Sequence, residues 1–390
     1  MRFVTVLAFA LGFASPLAAW TSQRFINYYP KFTEVIEAVG FGYPLNYTPE
    51  LGFEHKCREK IALYTDPAPK NWTWAAYTCI QATNCMMDNL SEMGKANLAS
   101  SSVVLGLLPV ILSAFGTKPG EIALLSYRRP LLALFISLGA PAIHTDRLGE
   151  FQNPVKLLDN VPRTLHIPRW LRRGTRRLWF ISLFQYIAVV GAVCVAGQVS
   201  FELGSRSILN WSCEGWAYPI LWNIIPLTIH PFAILSLWVM VWKTQLHWSS
   251  GPEMCSVLWR QVLSSVRGAG WRDIRNWLWR RAKYEGTPAA NQRPFFTNLP
   301  EETKLAVFLE MGVDLAALVQ LIFGTVVFSS LLMVSVWDSY IIVLKYAGAA
   351  IVCKAVFMYE ICGIRDGMVN EMDEVKQSLI PSDGADVSRG

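Results

Sequence analysis

The sequence predicts an all-α, polytopic integral membrane protein: about five transmembrane helices, a re-entrant hairpin, and a small disulfide-braced luminal domain at the N-terminus. Three observations carry that prediction. The 390 residues are 53% hydrophobic and only 16% charged, against about 45–50% and about 25% in ordinary soluble domains. Apolar stretches of roughly 20 residues recur along the chain, the length a helix needs to cross a bilayer. Basic residues gather in two of the segments between those stretches, the pattern of cytoplasmic loops. The same composition excludes a soluble enzyme, and 13% aromatic residues exclude collagen-like and disordered chains.

Residues 1–19 (MRFVTVLAFALGFASPLAA) combine Arg2, an apolar run from Phe3 to Phe13, Pro16, and the small residues Ala18 and Ala19. This is the pattern of a secretory signal peptide, with Trp20 as the first residue after cleavage. Residues 20–96 hold Pro, Gly and Tyr clusters but no long apolar run, so they read as a luminal or extracellular domain. Three glycosylation sequons fall there, at Asn46, Asn71 and Asn89. A sequon marks a surface loop in a secreted segment.

The transmembrane domain is expected over 97–362, with spans at 97–116, 178–198, 218–242, 312–336 and 340–361. The stretch 122–143 is treated differently, because Arg128 and Arg129 interrupt it and Pro130 and Pro141 bound its apolar remainder. Residues 145–177 carry eight Lys/Arg against three acids, and 243–304 carry ten against five. Both should be cytoplasmic. The segment 199–217 has one Arg, two acids and a fourth sequon at Asn210, and should be luminal. These sides agree only if 122–143 enters the membrane without crossing it, as a re-entrant or interfacial hairpin buried among helices. The N-terminus is then luminal or extracellular and the acidic tail 363–390 is cytoplasmic.

The eight cysteines fit this map. Cys57, Cys79, Cys85 and Cys213 all fall on the luminal side, where disulfides form. Four cysteines allow three connectivities. One expected arrangement has Cys213 staple its loop to the N-terminal domain. Cys194, Cys353 and Cys362 lie in or beside spans and Cys255 in a cytoplasmic loop, positions that suit apolar fillers or free thiols. No CxxC pattern occurs and no His stands at ligand spacing from these cysteines, so no metal site and no cofactor are expected.

The cytoplasmic stretch 256–284 places Trp259, Trp271 and Trp277 among six arginines at helical spacing. Indole rings suit the headgroup layer and guanidinium groups attract anionic lipid, so the partners expected here are the bilayer and anionic headgroups. Nucleic acid is not expected, and protein partners are not legible.

Polar residues inside spans are costly and are therefore candidates for function. In 218–242 three prolines, Pro219, Pro226 and Pro231, interrupt one helix, with Asn223 and His230 beside the breaks. Broken helices with midplane polar groups line binding sites in transporters. In the last two spans Asp314 and Lys354 are the candidates, and an ion pair between them is one expectation. HExxH, GxSxG, Walker A and GxGxxG motifs are all missing.

The run TCIQATNCMMDNLSEMGKANLASSSVVLGLLP (78–109), followed by EIALLSYRRPLLALFISLGAP (121–141), resembles a recurrent block in multi-pass membrane proteins of filamentous fungi. The resemblance covers about 65 residues and brings no activity with it. It implies that the Cys79–Cys85 pair, the first span and the Arg128-Arg129-Pro130 hairpin form one module. The function expected is that of a non-enzymatic sensor or scaffold in the secretory pathway, between endoplasmic reticulum and plasma membrane. The alternatives are a transporter or channel component using 218–242, and an accessory enzyme of lipid or secondary metabolism.

Overall fold

The computed structural model describes residues 25, 27–33, 53–65, 72–144, 175–213, 215–248, 282, 285–288 and 304–379. The signal sequence, Asn46, Asn71, Cys255, nearly all of 256–284 and the chain after 379 lie outside the described residues.

Eleven helices and one short strand pair make up the architecture of the described residues. Two helices, α1 (Phe53–Thr65) and α2 (Trp72–Asn89), precede the bundle. Helix α3 (Glu92–Gly106) starts at Ser91, whose hydroxyl accepts from the Gly94 amide and so caps the first turn. It continues with a break at Leu107 into α4 (Leu108–Phe115), which opens with Pro109. The hairpin follows as α5 (Pro119–Arg128) and α6 (Pro130–Gly139). Neither is long enough to cross a membrane. Then come α7 (Thr175–Arg206), β1 (Ile208–Leu209), α8 (Tyr218–Ile224) and α9 (Pro226–Trp248). The chain closes with α10 (Lys304–Ser329), β2 (Leu331–Leu332) and α11 (Val336–Leu379).

Five helical stretches are long and apolar enough to cross a membrane: Glu92–Phe115, Leu178–Arg206, Tyr218–Met240, Lys304–Ser329 and Val336–Asp366. All five expected spans are present, with shifted ends. The fourth ends at Ser329 instead of 336. Residues 331–332 pair antiparallel with 208–209, and Met333 takes a positive φ of 67° in the turn that follows. Hydropathy could not separate this turn from the helix, because Leu331, Met333 and Val334 are themselves apolar and buried. The fifth helix begins at Val336 and runs on through Leu379, so the first half of the expected acidic tail is helical.

Helix α7 packs against α6, α8 and α11, while α9 packs against α5 and α10, and α3 lies against both α10 and α11. At the centre Trp222 is fully buried, edge-on to Phe328 at 4.9 Å and to Tyr346 at 6.2 Å between ring centroids. Gly324 admits the indole, since a Cβ there would stand 2.3 Å from Trp222 Nε1. The outer surface of the bundle is the reverse of a soluble one. On α7, Phe180, Phe184 and Ile187 are 62–71% exposed while Val189, Ala192 and Ala196 are buried. Water would penalise such a surface; hydrocarbon does not. We call the end that carries β1, β2 and the start of α11 the disulfide end, and the end near Arg129 the hairpin end.

Candidate functional site

Two polar assemblies stand out, one at each end of the bundle. The first centres on Arg129. Because Pro130 follows it, the helical conformation is disfavoured at this residue, and Arg129 takes φ −132°, ψ 73° at the joint between α5 and α6. Its side chain turns wholly inward, with no exposed surface. Nη1 donates to Glu360 Oε1 and to Gln185 Oε1, both at 2.7 Å, and Nη2 donates to Ser182 Oγ at 2.7 Å. Gln185 Nε2 in turn donates to Glu360 Oε1 at 2.6 Å. The guanidinium stands 5.4 Å from the centroid of the Tyr186 ring, close enough for a cation–π contact.

Tyr186 extends this assembly. Its hydroxyl donates to Glu285 Oε1 at 2.6 Å, and the same oxygen accepts the Leu132 amide at 3.1 Å. Leu132 lies in the first turn of α6, where amides lack intrahelical acceptors and the helix dipole favours an anion. Glu285, from the short described segment at 285–288, thus caps the second arm of the hairpin. Three parts of the chain meet here: the hairpin, α7 with α11, and the segment of Glu285. Arginine does not deprotonate in proteins, and Glu360 is held by two donors, so the ion pair ties the hairpin to α7 and α11. It is built as a lock.

The second assembly fastens the N-terminal segment to the start of α11. Ser335 caps this helix, its hydroxyl accepting the Asp338 amide at 3.1 Å and donating to Asp338 Oδ2 at 2.8 Å. The Asp338 carboxylate also accepts the backbone amides of Phe32 at 2.9 Å and Lys31 at 3.4 Å. Nearby, Asn97 Oδ1 accepts the Val336 amide at 3.1 Å, and the hydroxyls of Ser101 and Ser339 share a hydrogen bond. Tyr29 is buried under Arg206 at 5.6 Å, and burial, together with the Glu202 charge, pushes its phenol well above the ordinary value.

Four cysteines form two bridges at this end, Cys57–Cys85 and Cys79–Cys213. The second staples the 208–217 loop to α2, as one sequence expectation had it. Cys79 and Cys85 do not pair with each other: six positions apart on one helix, they face different sides and meet different partners. Cys194, Cys353 and Cys362 are free. Of the two described sequons, Asn210 is exposed at a turn. Asn89 is half-buried and its amide donates to the Cys85 carbonyl at 2.8 Å.

The intramembrane candidates are not brought together into one site. His230 and Asn223 are both buried, and His230 Nδ1 and Asn223 Oδ1 have no hydrogen-bond partner among the described residues. Asp314 is half-buried on α10. Lys354 does not pair with it. Its ammonium donates to the Gly116 carbonyl at 3.1 Å, just past α4, and stands 5.3 Å from the centroid of Phe357. The carbonyls at that helix end lack intrahelical donors, which makes the Gly116 carbonyl an available acceptor. Among the described residues, no three His, Cys, Asp or Glu side chains converge as metal ligands.

The sequence marks Arg129 as an obstacle to crossing, but nothing in it joins Arg129 to Glu360, which lies inside the expected span 340–361. Ser182, Gln185, Tyr186, Glu285 and Asp338 were missed. The available signal was an arginine directly before a proline inside an apolar run, a residue that must either leave the membrane or find a buried acid.

No family model matches the chain, and neither a curated protein nor a solved structure is significantly similar to it.

Proposed function

We propose that this protein is a non-enzymatic sensor or scaffold of the secretory pathway or cell surface. In this reading the disulfide end faces the lumen or exterior, and the hairpin end, the basic loops and the tail face the cytoplasm. One observation carries it. Helix α11 holds the N-terminal clasp through Asp338 and the hairpin lock through Glu360. Those residues are about 33 Å apart along one helix. A ligand or partner that moved the extramembrane helices would therefore act on the same rigid element that fixes the cytoplasmic hairpin. The arginine–tryptophan stretch 256–284 would hold that face against anionic lipid. Sequons Asn210, Asn71 and Asn46 would carry glycans, with Asn210 best supported by its exposure.

The coupling is measurable as trypsin cleavage within 145–177 on vesicles that expose the cytoplasmic face. Glu360→Gln should speed cleavage by freeing the hairpin, and Asp338→Asn should speed it from the other end. Cleavage that responds to Glu360→Gln but not to Asp338→Asn would overturn the reading.

A second reading is favoured by the two orphaned polar atoms of His230 and Asn223 at the proline-broken α8–α9 span. Unpaired buried polar groups are costly, and broken spans line transport sites. In a transporter, His230→Ala would abolish uptake while leaving expression intact.

A further inference from the structure

Four buried polar atoms that lack a hydrogen-bond partner among the described residues lie on one wall of the bundle. They are Trp222 Nε1, Asn223 Oδ1, His230 Nδ1 and Gln320 Oε1, on α8, α9 and α10, and each of these residues is more than nine-tenths buried. Pro231 leaves a further acceptor on this wall, because it has no N–H to give the Leu227 carbonyl. Leaving a buried donor or acceptor unmet is costly, and water meets such groups where a polar site has room for it.

The room begins toward the hairpin end. A cavity large enough for a water molecule lies between α5, α9 and α10, lined in part by Gly120, Ala233, Ser236, Leu237, Glu310 and Val313. Gly120 and Glu310, both partly exposed, stand at its mouth. Helical spacing carries two of its walls inward. His230 is three residues from Ala233 and seven from Leu237, so all three share one face of α9. Val313, Gln320 and Gly324 share one face of α10 in the same way, at spacings of seven and four. The two chain segments run antiparallel, matched by Ser236 Oγ donating to the Ala306 carbonyl at 3.0 Å at one end and by Trp222 Nε1 against Gly324 at the other. His230 and Gln320 therefore lie between the cavity and Trp222. One turn short of each stands an alanine, Ala233 and Ala317, which projects only a methyl group into the seam. The wall from Glu310 to Gly324 is about 21 Å long. Trp222, packed edge-on to Phe328 and Tyr346, closes its inner end.

We infer that the seam between α9 and α10 is a half-channel for water, entered at Glu310, passing His230 and Gln320, and ending at Trp222 and Asn223. Its occupant is water because the atoms to be met include a donor, the indole N–H, and acceptors, the Gln320 oxygen and the Leu227 carbonyl. Water serves both roles and a lipid tail serves neither. The path gives His230 contact with water of the hairpin side and none with the other. It shares its orphaned atoms with the transporter reading but requires no transport. Solute uptake that ignores His230→Ala would end that reading and leave this one standing.

The test uses the full chain in membrane vesicles and the silver ion, a thiol-binding cation small enough to follow water. His230→Cys, Gln320→Cys and Glu310→Cys are each exposed to silver from one side, then denatured and alkylated. Mass spectrometry reads, residue by residue, which thiols were left free. The native Cys353, buried on α11 against Gly139 of α6 and so away from the seam, is the reference in every sample. Applied at the hairpin side, silver should block all three introduced thiols at least about tenfold faster than Cys353. Applied at the disulfide side, it should leave the thiol at position 230 free. Adding Ala233→Phe, which fills the path short of His230, should slow blocking at 230 and 320 at least about tenfold and leave 310 unchanged. Where Ala233→Phe spoils the size-exclusion profile, Ala317→Phe serves, and it should slow blocking at 320. The inference is overturned if the thiol at 230 or at 320 reacts no faster than Cys353. It is equally overturned if the filling substitution leaves those rates unchanged, or if both thiols react faster from the disulfide side.

Discussion

Arg129 shows how one residue type in one place dictates a structure. A guanidinium in an apolar run is tolerable only if its charge and most of its donors are met; Glu360, Gln185 and Ser182 meet the charge and the two terminal nitrogens, while Nε has no partner among the described residues. Removing one partner strands the other charge in the interior. Arg129→Ala and Glu360→Ala should therefore each cost about 3–5 kcal/mol, and replacing both residues with apolar ones of similar volume should cost far less. Thermal unfolding in detergent of Arg129→Ala, Glu360→Ala and the double variant Arg129→Met/Glu360→Leu gives the comparison; single variants no worse than the double one would refute the lock. The arginine was legible in the sequence as an obstacle to crossing, while the acid was only one residue of the expected span 340–361. Their meeting was not, because 231 residues separate them and nothing local to either residue names the other. His230 and Asn223 were legible for the opposite reason: a polar residue beside a proline in an apolar helix is visible by itself.

At the level of elements, hydropathy located every span but misplaced ends wherever an apolar segment changed conformation. The β2 turn is the clearest case. Its Leu331, Met333 and Val334 are as apolar as the helix before them, and only pairing with β1 makes them something else. Helix α2 carries the other lesson. The charge pattern expects its cysteines on the same side as Cys213, and the bundle gathers all four at one end, yet their connectivity needed the helix, which points Cys79 and Cys85 in different directions. Because the two bridges are independent, Cys79→Ser should free Cys213 for alkylation by maleimide without reduction, while Cys57 and Cys85 stay protected. A Cys79→Ser protein in which Cys57 or Cys85 also becomes reactive would mean that the bridges form as one unit. Of the three prolines expected to interrupt this span, only Pro226 stands at the break between α8 and α9; Pro219 lies in the first turn of α8, where its missing N–H leaves no helix bond unmade, and Pro231 is carried inside α9.

For the whole molecule, the strongest sequence evidence was the distribution of charge. It separates the segment around Asn210 from the two basic loops, and the bundle likewise places Asn210 and both disulfides at the end opposite Arg129. If the disulfide end is luminal, endoglycosidase treatment should sharpen the band of the wild-type protein, and Asn210→Gln should shift its mobility before treatment. An Asn210→Gln protein with unchanged mobility, together with a modified acceptor site inserted near residue 160, would reverse the orientation. The clasp at Asp338 has a further consequence, which concerns time. The Lys31 amide and its acceptor are 307 residues apart, and ribosomes add about 5–20 residues per second. The N-terminal segment therefore emerges roughly 15–60 s before its anchor exists, and Cys79 likewise waits for Cys213, 134 residues downstream. During that interval the segment lacks its anchor; Cys79 can be bridged once Cys213 has emerged, while the backbone clasp waits for the last helix. Maturation of the N-terminal domain thus reports that synthesis of the membrane bundle is complete.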